Sequence, residues 1–169
     1  MVALGERLSE ITLRDLNGTR VVLAAPNGRV RVIVFWSADC PVVRRGEARL
    51  AALREAWPLE VEVFYVASNA DEPIAVLVRQ AKARDVAPVL IDESARLADL
   101  LGATTTPQAF VVDGESRLRY RGAVDDSTMR RNEPTRHFLA DAVTALLAGD
   151  SPDPAETPAY GCAIVREIG

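Results

Sequence analysis

The sequence predicts an α/β domain with a central mixed sheet and flanking helices, an N-terminal β-hairpin and an extended C-terminal tail. Three observations carry this. Apolar runs of strand length alternate with segments of helical periodicity, which argues for parallel strand pairs joined by crossover helices. Asn17-Gly18 and Asp113-Gly114 each stand between β-prone runs, the short-range signal of a hairpin, and add antiparallel strands to the same sheet. The 169 residues, 49% of them apolar, suffice for one domain with a full core and are too few for two ordinary ones.

The elements follow in order. Ile11 to Asp15 and Arg20 to Leu23 flank the first turn, and Asn27-Gly28 turns the chain into Val30–Trp36, a strand apolar enough to be buried on both faces. A helix begins at Pro41; Val43, Leu50, Leu53 and Trp57 share its inner face and Pro58 stops it. Leu59 to Ala67 is a second buried strand. Asp71 and Pro73 open a helix to about Ala83, Pro88 to Asp92 is a short strand, and Ser94 is expected to cap a helix ending near Leu101 before Gly102. Gln108 to Val112 and Arg117 to Arg121 form the second hairpin, with Arg117, Arg119 and Arg121 read as a solvated edge. A last helix is expected from Pro134 to Ala148. The Pro-rich stretch from Asp150 to Pro158 reads as a tether, so a folded domain over 1–149 is followed by a tail, 150–169, that carries Cys162.

Composition excludes several functions. The net charge is −4 and the basic residues, all Arg except Lys82, are scattered, which argues against a nucleic-acid partner. No apolar stretch approaches the ~18 residues of a membrane span, so no membrane insertion is expected. A single His and two distant Cys make no metal site, and His137 reads as a surface residue on the last helix. The compartment stays open: cytoplasmic if the chain is complete, periplasmic or otherwise extracytoplasmic if an export leader was trimmed.

Chemistry concentrates at Cys40. It falls where the apolar run ends and Pro41 fits the first helical position, so it becomes the N-cap residue. Unpaired first-turn N–H groups and the positive end of the helix dipole there favour a thiolate, the nucleophilic form. Arg44, one turn on, is expected to lean back and add its charge, while Asp39 opposes it. A second signal is Thr106-Pro107 directly before the apolar run Gln108–Val112, a place for a cis bond or a strand start.

Together with Trp36 four residues before Cys40, these features resemble the thioredoxin-like superfamily, and within it redoxins of the alkyl-hydroperoxide-reductase and thiol-specific-antioxidant type. The resemblance spans about Leu4 to Ile164 and implies a thioredoxin-like fold in which Thr106 and Pro107 face the reactive Cys and dock an extended substrate. Two departures matter. Val43 stands where a Cys-x-x-Cys reductase has its second thiol. In the peroxiredoxin pattern Pro-x-x-x-Thr-x-x-Cys, Ser37 matches the hydroxyl position but Ile33 replaces the Pro; Arg45 and Arg121 are candidates for the arginine of that family. Val34 replaces the buried Asp of thioredoxin.

The short tail Tyr160-Gly161-Cys162-Ala163-Ile164 offers a substitute partner thiol. The thirteen residue steps from Gly149 to Cys162 span up to about 40 Å when extended, against a radius of gyration near 15 Å for such a domain. Cys162 can therefore reach Cys40 of its own chain or of a second one, the latter giving a homodimer. The expected activity is that of a thiol-based oxidoreductase that reduces a disulfide or a hydroperoxide. Cys40 is the nucleophile and Cys162 resolves it, Ser37 and Arg44 set the thiol's environment, Thr106 and Pro107 dock substrate, and Trp36 shields the site. No cofactor is needed, and the implied partner is a thiol reductant such as thioredoxin or a small thiol. The rival expectation is a non-enzymatic binding or copper-handling module that has kept the fold and lost turnover with the Cys at Val43.

Overall fold

The computed structural model describes residues 1–169. Strands β1 (Ile11–Asp15), β2 (Arg20–Leu23) and β3 (Val30–Phe35) precede helix α1 (Pro41–Ala56); β4 (Val61–Ala67), α2 (Ile74–Ala83), β5 (Val89–Ile91) and α3 (Arg96–Leu101) follow. Then come β6 (Thr105–Thr106), β7 (Gln108–Val112), β8 (Leu118–Gly122), α4 (Phe138–Leu147) and β9 (Cys162–Ala163). Seven strands form one sheet in the order β2-β1-β5-β4-β3-β7-β8, with β3, β4 and β5 parallel and the outer pairings antiparallel. The expected mixed sheet, both hairpins and the thioredoxin-like arrangement are therefore present.

Alternation along the central strands builds two cores. Val30, Val32 and Val34 of β3 join a cluster with Val43 and Leu50 of α1, Leu77 of α2 and Leu139 and Val143 of α4. Ile33 and Phe35 point the other way, into a cluster with Leu97, Ala98 and Leu101 of α3 and Leu118 of β8. Arg31, also buried, is tolerated because Glu62 stands opposite it on β4 and accepts from its Nε at 3.2 Å. No helix is long and apolar enough to cross a membrane.

Several boundaries differ from expectation, each for a local reason. Ser94 does not cap α3: Ser94 and Ala95 both have positive φ, and the buried carboxylate of Asp92 accepts the Leu97 and Ala98 N–H groups instead, at 2.8 and 2.9 Å. Helix α4 starts at Phe138 rather than Pro134, because Asp126 captures the Thr135 and Arg136 N–H groups and holds that segment as a loop. His137 is exposed at the N-cap of α4.

The segment after α4 is not a loose tether. It runs beside β8, where Arg121 N–H donates to Ala155 O and Thr157 N–H to Arg121 O. The Thr157 hydroxyl meets Tyr120 Oη at 2.7 Å and accepts Ala123 N–H. Gly122 makes this approach feasible, since a Cβ there would collide with Thr157. The edge expected to be solvated is thus covered: Arg121 pairs with Glu156, and Arg119 pairs with Asp113 and donates to Ser151.

Candidate active site

Cys40 caps α1, with Pro41 in the first turn, as the local sequence dictates. Helix N–H groups that no carbonyl can reach are available there, and those of Val43 and Val42 favour the ionised forms of Cys40 and Cys162 respectively. The second cysteine arrives on β9, antiparallel to β6, with Cys162 opposite Thr106 and Ala163 opposite Thr105. The Thr106–Pro107 bond is cis. Thr106, 1% exposed, touches both cysteines, because its carbonyl lies 3.2 Å from Cys40 Sγ while its backbone pairs with Cys162.

Residue 161 must be glycine here, since a Cβ would run into the Thr106 carbonyl. Beyond it Ile164 N–H donates to Thr104 O and its side chain enters the second core. Val165 is held at both backbone groups by Asn69 and Ala70, and Arg166 by Asp99 and Ala103 O. Cys40 is left only 2% exposed.

The two thiols are driven apart in acidity. Burial pushes Cys40 up, but hydrogen bonds from the Cys162 thiol, Val43 N–H, the Thr106 hydroxyl and Cys162 N–H outweigh it, so its pKa falls below the ordinary thiol value. Cys162 is pushed up to about 11 by burial, by its hydrogen bond to Cys40 and by the charge on Cys40, against the pull of Val42 N–H. The pair therefore consists of one thiol poised to ionise and one that keeps its proton.

The other residues singled out from sequence surround this pair without all touching it. Arg44 leans back as expected, but its guanidinium ends on Ala38 O at 3.2 and 3.3 Å. Ser37 is buried and donates to Glu72 Oε1 at 2.5 Å, the same oxygen that accepts Asp39 N–H, so it shapes the loop below the thiol. Trp36, fully buried, lies beneath the loop rather than over it: Nε1 donates to Glu47 and the Arg84 guanidinium stacks on the ring at 5.1 Å. Arg45 bonds Met129 O and Arg121 bonds Glu156, away from the sulfurs.

Sequence reasoning missed Glu47, Glu72 and Arg84. Arg84 forks onto Glu47 and donates to Ala38 O at 2.7 Å, fixing the loop that delivers Cys40. Glu72 and Arg84 lie 33 to 46 residues from the groups they hydrogen-bond, so no local pattern announces them. The largest cavity, about 720 Å³, lies between the first hairpin, β5 and α3 and includes neither cysteine. A small one of about 30 Å³ has Val42, Val43, Pro107 and Tyr160 among its walls. No group of three or more His, Cys, Asp or Glu is assembled that could hold a metal ion.

Comparison with known proteins agrees with this architecture. A thiol:disulfide interchange protein, a DsbE homologue of Paracoccus denitrificans (strain Pd 1222), is 27% identical over 119 residues, which is 70% of this chain and 63% of that protein. The chain thus spans just under two thirds of that relative's length. A hypothetical protein of Sinorhizobium meliloti 1021 superposes with a TM-score of 0.85 at 28% identity over 100% of this chain and 97% of its own. A secreted Mycobacterium tuberculosis disulfide oxidoreductase homologous to Escherichia coli DsbE shares the fold, with a TM-score of 0.60 at 18% identity over 82% of this chain and 95% of its own. The Redoxin family profile matches residues 3–136, from before the first hairpin to beyond the second and leaving only α4 and the tail outside; this chain belongs to the redoxin family.

Proposed function

We propose that the protein is a thiol-based oxidoreductase in which Cys40 attacks a disulfide or a hydroperoxide and Cys162 resolves the product. The observation that carries this reading is the meeting of the two cysteines at Thr106: its carbonyl lies 3.2 Å from Cys40 Sγ at the N-terminus of α1, and Cys162 pairs opposite it on β9. Attack by the Cys40 thiolate yields a mixed disulfide or a sulfenic acid. Cys162 then displaces the leaving group and forms a Cys40–Cys162 disulfide, which a thiol reductant such as thioredoxin or a small thiol reopens. Cys162 takes the place that Val43 has vacated, reaching the sulfur from the tail rather than from the helix.

Thr106 and Pro107 act here by seating β9 against Cys40; Ser37, Arg44 and Trp36 hold the loop that carries it. Counting free thiols after oxidation of the wild type, Cys40→Ser and Cys162→Ser tests the scheme. Wild type loses both thiols and stays a monomer, Cys40→Ser keeps Cys162 free, and Cys162→Ser stalls with an oxidised Cys40. Cys40→Ser with wild-type turnover of peroxide or of a model disulfide would mean that the nucleophile is wrongly assigned.

A further inference from the structure

Resting on the reading above, in which a thiol reductant reopens a Cys40–Cys162 disulfide, we propose that this reductant is a protein with an acidic face and that it docks on the arginine-rimmed surface where α1, the loop after β8 and the tail meet. Three contacts assemble that surface. Arg45 of α1 donates to Met129 O, Met129 N–H donates to Tyr160 Oη at 3.2 Å, and Tyr160 stands two residues before Cys162. The cleft of about 30 Å³ beside them has Val42, Pro107, Ser127 and Tyr160 among its walls, so the first turn of α1, the cis turn, the loop and the tail border one place. Met129 and Tyr160 are 42% and 43% exposed there. Aromatic, Met and Arg side chains together are the composition that protein interfaces favour.

Charge decides what kind of protein fits. Arg44 and Arg45 on α1 and Arg130 and Arg136 on the loop are exposed, and none of the four is paired with a carboxylate. On the same segments Asp125 and Asp126 are spent on Arg49 and Arg131, and Glu47 on Arg84, which leaves Asp39 and Glu133 as the free carboxylates. In a chain of net charge −4 this is a local excess of positive charge, and it orients an acidic partner that the molecule as a whole repels. Four guanidiniums spread over a helix and a loop need a surface to meet them all. The step fits the same side. Cys40 is 2% exposed, so Cys162, half-buried on the tail beside Tyr160, is the sulfur an incoming thiolate meets. An S–S bond forms between the partner and Cys162, the Cys40–Cys162 bond breaks, and Cys40, the more acidic thiol, leaves as thiolate. The partner's second thiolate then attacks its own bonded sulfur and releases Cys162. Two electrons and two protons pass from the partner's dithiol to the pair.

The test uses the oxidised full-length chain and two synthetic dithiol peptides identical except that Glu or Lys residues flank the cysteines, with glutathione as a small anionic thiol and dithiothreitol as an uncharged one. At an ionic strength of about 0.02 M the Glu peptide should reduce the protein about tenfold faster than the Lys peptide, and the gap should close at about 0.5 M. Arg130→Glu, and independently Arg45→Glu, should shrink the gap while reduction by dithiothreitol and the near-ultraviolet circular dichroism stay unchanged. Equal rates for the two peptides at low salt overturn the proposal, as does a gap that both variants leave intact; glutathione as fast as the Glu peptide would assign the arginines to a small anion instead. Each of these leaves the disulfide standing. If oxidised wild type still shows both thiols free, the underlying reading falls, and this inference with it.

Discussion

Oxidation should raise the melting temperature sharply, and the size of the rise can be worked out from the chain. A Cys40–Cys162 bond closes a loop of about 120 residues, which in the chain-entropy model destabilises the unfolded state by about 5 kcal/mol. The native state has little to lose in return, since both cysteines already meet at Thr106 and the tail is already pinned by Thr157, Ile164 and Arg166. For a domain of this length the unfolding entropy is about 0.35 kcal/mol/K, so the shift is about 14 °C. Calorimetry of reduced and peroxide-treated protein measures it, with Cys162→Ser expected to show no rise and a non-reducing denaturing gel separating monomer from disulfide-linked dimer. A fully oxidised monomer that melts with the reduced protein would refute the reasoning, as would a reducible dimer in place of the monomer.

Four further outcomes are expected. In Cys40→Ser the Cys162 thiol loses the charge beside it and titrates below its value of about 11, read from alkylation rate against pH; an unmoved value would show that the two sulfurs do not interact. Because the Cys40 pKa is lowered on folding, its thiolate contributes stability above the unfolded value near about 8.5 that is lost as pH falls through the folded value; Cys40→Ser should flatten that slope in denaturation midpoints. Arg44→Glu should leave Cys40 alkylation nearly unchanged and insensitive to salt, since Arg44 serves the Ala38 carbonyl; a salt-dependent slowing would restore a direct role for its charge. Arg84→Met strands the largely buried Glu47 carboxylate and should destabilise the fold by about 3 kcal/mol, measured by urea unfolding, with a change below about 0.5 kcal/mol arguing that the pair is solvent-screened.

What the sequence made legible was whatever chemistry resolves within a few residues. Pro41 after Cys40 marks the start of α1 because only a first-turn position tolerates a missing N–H, and Thr106-Pro107 before an apolar run marks the cis turn. Ser94 looked like a cap by type, but its positive φ and the reach of Asp92 decided otherwise. Arg44 lies one turn along as read, but the Ala38 carbonyl, two residues before Cys40, takes its guanidinium. The tail was the largest miss. Its path depends on the Gly122 and Gly161 contacts with Thr157 and Thr106, pairings 35 and 55 positions apart in the chain, and a Pro-rich composition without periodicity shows nothing of them.

In the proposed scheme the partner thiol comes from the tail rather than from the helix, and this has a physical consequence. In a Cys-x-x-Cys site both sulfurs ride on one rigid turn, so the disulfide opens and closes without moving anything else. Here the position one turn along is Val43, 2% exposed and committed to the core, and the second sulfur stays in place only while Gly161–Ile164 remains on the Thr105–Thr106 edge. Docking of β9 and formation of the disulfide are therefore linked. Each contact that seats the tail raises the effective concentration of Cys162 at Cys40 and favours the oxidised form, and the bond in turn holds the tail down. Loss of about 1.4 kcal/mol of tail docking corresponds to about 30 mV in a two-electron couple, so in this scheme Ile164, buried in the second core, helps set the potential of the proposed Cys40–Cys162 pair.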